Sequence, residues 1–260
     1  MKMLKGSLSV STISLTYGTG DKSVLALDGI SFEVRPNEFT VIVGPSGCGK
    51  SSLLYIAAGL TEATGGTIHT GGKLVTGPGA DRGMVFQSYT LFPWLTVRNN
   101  VEYGLKRKGM AQPERNRIVD HYLGEIGLKA FADHYPKQLS GGMMQRVAIA
   151  RALANDPDIL LMDEPFGALD SQTRHSMQRL LLRVWENTQK TVAFVTHDID
   201  EAILLGDRVI VMTARPGKLK ADIRIGIQRP RDPEIVLEPE FIAIKRRIIN
   251  ELRDEIDETH

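Results

Sequence analysis

Residues 39–60 read FTVIVGPSGCGKSSLLYIAAGL: a continuous apolar run, a glycine-rich loop, then a helix-forming stretch. The loop GPSGCGKS, Gly44–Ser51, satisfies G-x-x-x-x-G-K-[ST] in full, and strand–loop–helix is the context in which that pattern holds phosphate. Its glycines let backbone N–H groups wrap a β-phosphate. Lys50 reaches the β- and γ-phosphates, and Ser51 can ligate Mg²⁺. Gly44, Pro45, Ser46, Gly47, Cys48, Gly49, Lys50, Ser51 and Ser52 are therefore the expected nucleotide cradle. Cys48 occupies a free position of the motif, so no catalytic role is expected of it. Its place at a helix N-terminus should lower its thiol pKa.

On the N-terminal side, SLSVSTISLTYG (7–18) and LDGISFEVRPNEF (27–39) alternate apolar and polar residues around turns at Gly18–Gly20 and Pro36–Asn37, which predicts an antiparallel β layer. On the C-terminal side, residues 96–154 switch to a helical period (VRNNVEYGLKRKG, PERNRIVDHYLGEIGL, MMQRVAIARALA) and predict a helical subdomain, about 91–154, inserted into the sheet domain. Buried-type strands return with DILLMD and TVAFVTH, separated by the helix SQTRHSMQRLLLRVWENT, and DRVIVMT and KADIRIGI close the core. A helical tail, about 238–257, carries Phe241, Ile244, Ile248 and Leu252 on one face and should pack on its own domain. The expected fold is α/β: a P-loop nucleotide-hydrolase core with an antiparallel β layer and an inserted helical subdomain, in a single domain over residues 1–260.

Composition narrows the function. The 260 residues carry 32 Lys and Arg against 31 Asp and Glu, a balance that argues against a dedicated nucleic-acid surface. The one cysteine excludes an internal disulfide and suits a reducing compartment. The apolar runs are too short to cross a bilayer, and Lys2 and Lys5 are followed by Ser and Thr rather than an apolar leader. A soluble cytoplasmic domain is expected, one that can still dock on a membrane-embedded partner.

Further residues have the chemistry of a triphosphate site. In ILLMDEP, an apolar strand delivers Asp163, suited to the shell of Mg²⁺, and then Glu164, suited to polarising a water for in-line attack on a γ-phosphate. His197 ends the apolar strand TVAFVTH, where open α/β sheets present side chains to the ligand crevice. Gln87, after GMVF, follows the same logic. Tyr17 can stack on adenine or fill a strand face, and Asp170 can cap the helix that follows it. LSGGMMQR, Leu139–Arg146, is a second anion-binding pattern: Ser140, Gly141 and Gly142 at the positive end of a helix. One small chain with two phosphate grips poses the question of whose phosphate the second one holds.

The ordered set Tyr17, GPSGCGKS, Gln87, LSGGM, ILLMDEP, GALD and His197 resembles the ATP-binding subunit of an ABC transporter, across about the first two hundred residues. The resemblance implies ATP and Mg²⁺ as cofactors, with Ser51, Gln87 and Asp163 around the metal and Glu164, His197 and Gln87 in catalysis. It implies two such subunits closing head to tail, most simply as a homodimer, so that Ser140, Gly141 and Gly142 cap the nucleotide on the partner's phosphate loop and Asp170 lies at the seam. Gln87 and SYTLFPWLTVRNN (88–100) would form the groove that receives an integral membrane permease, which places the subunit peripherally on the inner face of the cell membrane. Leu91, Phe92 and Trp94 could instead be ordinary core. FPWLTVRNNV, PFGALDSQTR and TARPG look most like the nitrate, sulfonate and taurine importers, which work with a solute-binding protein. One departure is Met143, where many members have Gln; the serine and backbone amides do the gripping, so little change is expected. The competing reading is a soluble ATPase of the same superfamily acting on nucleic acid or ribosomes. The absence of sustained heptads, the single phosphate loop and the balanced charge all speak against it. A P-loop phosphotransferase leaves LSGG and GALD unexplained.

Overall fold

The computed structural model describes residues 5–257; Lys2 and the two ends of the 1–260 span lie outside the described residues. In chain order the strands and helices are β1 (Leu8–Tyr17), β2 (Val24–Val34), β3 (Phe39–Val43), α1 (Lys50–Ala58), β4 (Gly65–Thr70), β5 (Lys73–Leu74), β6 (Arg82–Val85), α2 (Val97–Arg107), α3 (Gln112–Glu125), α4 (Gly141–Ala154), β7 (Ile159–Asp163), α5 (Ser171–Thr188), β8 (Thr191–Val195), α6 (Ile199–Leu205), β9 (Arg208–Met212), β10 (Leu219–Arg224) and α7 (Pro239–Asp257).

Two sheets result. Six strands in the order β10-β9-β3-β8-β7-β6 form the central sheet, parallel except for β10 at its edge. The antiparallel layer has the order β2-β1-β4-β5. The first forty residues thus supply only half of it, and β4 and β5 return to it after α1. The sequence missed them because Gly65, Gly66, Gly71 and Gly72 break the alternation that marks a strand.

Side-chain alternation sorts the central strands into two cores, because period two sends successive residues to opposite faces. Phe39, Val41 and Val43 of β3, with Leu160, Met162, Val192, Phe194, Val209 and Val211, face the helices. Ile42, Ile159, Leu161, Ala193, Val195, Ile210 and Met212 face α1 and the antiparallel layer. A strand buried on both faces has no polar side to show, which is why FTVIV and ILLMD read as unbroken apolar runs.

On the helical side α2 packs on α3 and α4, and α4 packs on β6, so the apolar faces of these helices join the core of the sheet. Helix starts follow from local chemistry: Thr96, Asp170 and Asp198 each cap a helix by accepting a backbone N–H at 3.3, 3.0 and 3.0 Å. On α7, Phe241 and Ile248 are buried, with Ile244 and Leu252 packed beside them against the same core. The segment before α7 is pinned by Arg231, a buried guanidinium that donates to Ile203, Gly206 and Ile227 carbonyls at 2.9, 2.6 and 2.8 Å. It thereby satisfies the open carbonyls at the end of α6. Burial lowers its pKa to about 10.

Phe194 sits at the centre of the helix-side core, with ring centroids 5.8 Å from both Phe39 and Phe166. Truncation there leaves a cavity that the two stiff aromatic neighbours cannot refill. Phe194→Ala should cost about 3–5 kcal/mol in denaturant unfolding; a loss below about 1 kcal/mol would mean that this core is loosely packed.

Candidate functional site

β3 ends at Val43, and the chain wraps through Gly44–Gly49 into α1. Gly49 is the N-cap of α1 at φ 98°, a conformation that disfavours any side chain, and Gly47 has φ 76°. The loop borders a cavity of about 390 Å³. Ser46, Gly47, Gly49, Lys50, Ser51 and Ser52 line it from the loop, while Gln87, Glu164 and Arg215 reach it from three other segments. Lys50 is buried, and its ammonium donates to the Gly44 and Pro45 carbonyls at 2.9 Å each. A cation with only neutral acceptors in a glycine cradle is arranged for an anion.

Asp163 closes the site from β7. Only 1% of it is exposed, and its two oxygens are shared out: Oδ1 accepts from Ser51 Oγ at 2.8 Å and Oδ2 from Tyr55 Oη at 2.9 Å. Ser51 and Tyr55 stand one helical turn apart on α1, so one helix face presents both donors. Sequence reading missed Tyr55, although its i, i+4 spacing from Ser51 is the signal that would have found it. Burial raises the Asp163 pKa, against the lowering effect of both hydrogen bonds, and burial beside this carboxylate pushes Tyr55 up to about 12.

The next residue, Glu164, takes φ 39°, a strained value for a side chain with a Cβ, and its N–H donates to Val195 O at 2.9 Å. This kink turns the carboxylate into the cavity. Its Oε2 meets Nδ1 of His197 at 2.9 Å; with the carboxylate ionised, Nδ1 carries the donated proton. β7 and β8 are adjacent and parallel, with Asp163 beside Val195, which brings the two strand ends together. Tyr17 projects from β1, half exposed, and donates to Ser52 Oγ at 3.0 Å.

Cys48 departs from expectation. It is 1% exposed, within the core that also holds Met212, and burial raises its thiol pKa above the ordinary value. The nearby Lys50 ammonium, 3.9 Å from Sγ, offsets this only in part. Helix position lowers a thiol pKa only where the thiol is not also stripped of water. Gly44, Pro45 and Cys48 accordingly shape the loop rather than line the cavity.

Ser140, Gly141 and Gly142 do not line this cavity either. Ser140 is exposed and caps α4, accepting from Met143 N at 3.3 Å. A Cβ on Gly142 would come within 2.5 Å of Thr173, and one on Gly141 within 2.7 Å of Tyr89 Oη. Both glycines therefore permit close packing, and they set the N-terminus of α4 beside the α5 helix that Asp170 caps. Trp94 is 70% exposed and so is not core. Its loop is held by Asn100, fully buried, which donates to Phe92, Leu95 and Thr96 carbonyls at 3.2, 3.1 and 3.0 Å and accepts from Phe92 N at 2.9 Å. Phe92 packs between Trp94 and Tyr103, at 5.7 and 4.5 Å.

A phosphate loop at the end of a parallel strand, with an acid pair at the end of a second strand and a histidine just past a third, defines a P-loop nucleotide hydrolase. The chain belongs to the ABC transporter family, whose model matches residues 27–167. It is 52% identical to an uncharacterised ABC transporter ATP-binding protein of Methanocaldococcus jannaschii, over 97% of this chain and 94% of that one. It is 49% identical to the nitrate import ATP-binding protein NrtD of Synechocystis sp., over 91% and 92% of the two chains. Identity to the taurine import ATP-binding protein TauB of Roseobacter denitrificans is 44%, over 95% and 94%. Among solved structures, a dimeric post-hydrolysis state of the ATP-binding cassette MJ0796 bound to ADP and Pi superposes with a TM-score of 0.75 at 36% identity, covering 85% of this chain and all of that one. The protein is an ABC ATP-binding subunit and an ATPase. Relatives of this kind do not favour an ATPase working on nucleic acid or ribosomes.

The raised Asp163 pKa has a stability consequence. An acid whose folded pKa lies above its unfolded value contributes stability at low pH that is lost as pH rises through the folded pKa. At neutral pH the buried charge is thus a burden on the fold. Asp163→Asn should melt at or above the wild-type temperature near neutrality, with the difference closing as pH falls. A clear destabilisation at neutral pH would contradict this.

Proposed function

We propose that two copies of this subunit close head to tail on two Mg²⁺-ATP and drive solute import through a separate membrane permease, from the cytoplasmic face. The observation that carries the hydrolytic part is Glu164, which lines the cavity with Lys50 and Ser51 and meets His197 at 2.9 Å. Lys50 exchanges its carbonyl partners for β- and γ-phosphate oxygens. Glu164 orients a water and accepts its proton as the water oxygen bonds to the γ-phosphorus and the bond to the β-phosphate oxygen breaks, releasing ADP and phosphate. His197 holds the carboxylate in place and faces the γ-phosphate.

The metal donors fit magnesium. Ser51 Oγ and Asp163 Oδ1 are hard oxygens 2.8 Å apart, and among the described residues no group of three or more His, Cys, Asp or Glu forms a cage of its own. Mg²⁺ takes one or two protein oxygens, with phosphates and water completing its shell. Bound there, it would neutralise charge developing on the phosphates, with Gln87 beside it.

Ser140, Gly141 and Gly142 are absent from their own chain's cavity, and Ser140 is exposed at a helix N-terminus, which supports their use on a partner's nucleotide, with Asp170 at the seam. The exposed Trp94, braced through Phe92 and Asn100, supports a permease-docking groove at residues 88–100. The likeness to NrtD and TauB supports a small anionic or zwitterionic solute such as nitrate, a sulfonate or taurine, handed over by a solute-binding protein. No helix among the described residues is long and apolar enough to cross a membrane, consistent with a separate permease.

Glu164→Gln tests the hydrolytic assignment. ATP should bind as before, while turnover falls about a hundredfold or more, within the usual range for general-base catalysis. Light scattering should show dimer accumulating with Mg²⁺-ATP. Near-wild-type turnover would remove Glu164 from its role.

A further inference from the structure

The turn between β9 and β10, residues 213–218, is fastened from within and from without. Thr213 Oγ1 donates to the Ala214 and Pro216 carbonyls at 2.9 and 3.0 Å and accepts from Lys218 N at 2.9 Å. Gly217 pairs with β2: its N–H donates to Ala26 O at 2.9 Å, and its carbonyl accepts from Asp28 N at 3.0 Å. A Cβ on Gly217 would stand 2.1 Å from the Cys48 carbonyl oxygen, so only glycine lets the turn lie directly against the phosphate loop.

The residue this turn delivers is Arg215. Its Nη2 donates to the Gly47 carbonyl at 3.2 Å, and it lines the same cavity as Lys50, Ser51 and Glu164. Nothing in the phosphate-loop motif requires a second cation. A brace for one carbonyl would not need a full charge, whereas a guanidinium carries five N–H donors and matches phosphate oxygens in pairs.

We propose that Arg215 is a nucleotide-contact residue, a second cation of the same chain that binds the phosphates of ATP and ADP at the mouth of the loop. This rests on the reading of the cavity as the ATP site. The contact to Gly47 orients the guanidinium, and the stiff turn fixes it before nucleotide arrives, so little freedom is lost on binding.

Calorimetric titration of the full chain with ATP and with ADP, at low and at high potassium chloride, tests it. Arg215→Gln should weaken both by roughly five- to thirtyfold at low salt, the range for a charge-assisted contact on an exposed group. The gap should narrow at high salt, where screening removes the extra attraction of the wild type. Arg215→Lys should recover part of the loss, and the nucleotide-free variants should melt with the wild type. Equal affinity of Arg215→Gln and wild type at both salts overturns the proposal. So does a loss undiminished by salt and accompanied by a lower melting temperature, which would make Arg215 a brace of the loop. A wild type that binds neither nucleotide would instead overturn the reading of the cavity itself.

Discussion

The buried carboxylate of Asp163 is the constraint on which the site is built. A charge that is 1% exposed survives there because each oxygen has its own donor, Ser51 and Tyr55, both on the first two turns of α1. That arrangement ties the end of β7 to the helix that follows the phosphate loop, and it fixes two things together. The Ser51 hydroxyl is held in register beside the phosphate loop, and the residue after Asp163 turns sharply at φ 39°. Glu164 is that residue, and its positive φ is the conformational cost of aiming a second carboxylate into the cavity while the first stays bonded to α1.

Adjacent strands then complete the constellation without further special chemistry. β8 lies beside β7 in parallel register, so the residues just past their ends, Glu164 and His197, meet at hydrogen-bonding distance although 33 positions separate them. β3, on the other side of β8, delivers the phosphate loop to the same edge. The sheet order therefore does the work of assembly. The antiparallel layer adds Tyr17 from above, through its hydrogen bond to Ser52.

Much of this was readable because the chemistry is local. A phosphate loop needs glycines and a lysine at fixed offsets, and strands buried on both faces need unbroken apolar runs, so both show in a linear pattern. The two sides of the central sheet follow from simple alternation. What was not legible depends on packing across the sequence. β4 and β5 are glycine-rich and paired at long range. Tyr89 reaches LSGG only in three dimensions, and Arg215 reaches the cavity only because a turn rests on the loop. Cys48 shows the limit from the other direction: its position along a helix argued for an acidic thiol, and its burial decided otherwise. Trp94 was ambiguous as a residue type, because an aromatic in an apolar stretch suits core and docking surface equally until its exposure is known.

In the proposed dimer one chain holds half of each of two composite ATP sites, with the phosphate loop of one copy completed by Ser140, Gly141 and Gly142 of the other. Mixing two inactive variants tests it most directly. Lys50→Ala removes the phosphate grip of one copy, and Ser140→Arg blocks the cap of the other. In a heterodimer closed head to tail, the intact loop of the Ser140→Arg copy faces the intact cap of the Lys50→Ala copy, so steady-state ATP hydrolysis should reappear on mixing. Each variant alone should remain inactive. Both variants inactive alone and equally inactive when mixed, with heterodimer formation verified by differential tagging, would contradict the composite site.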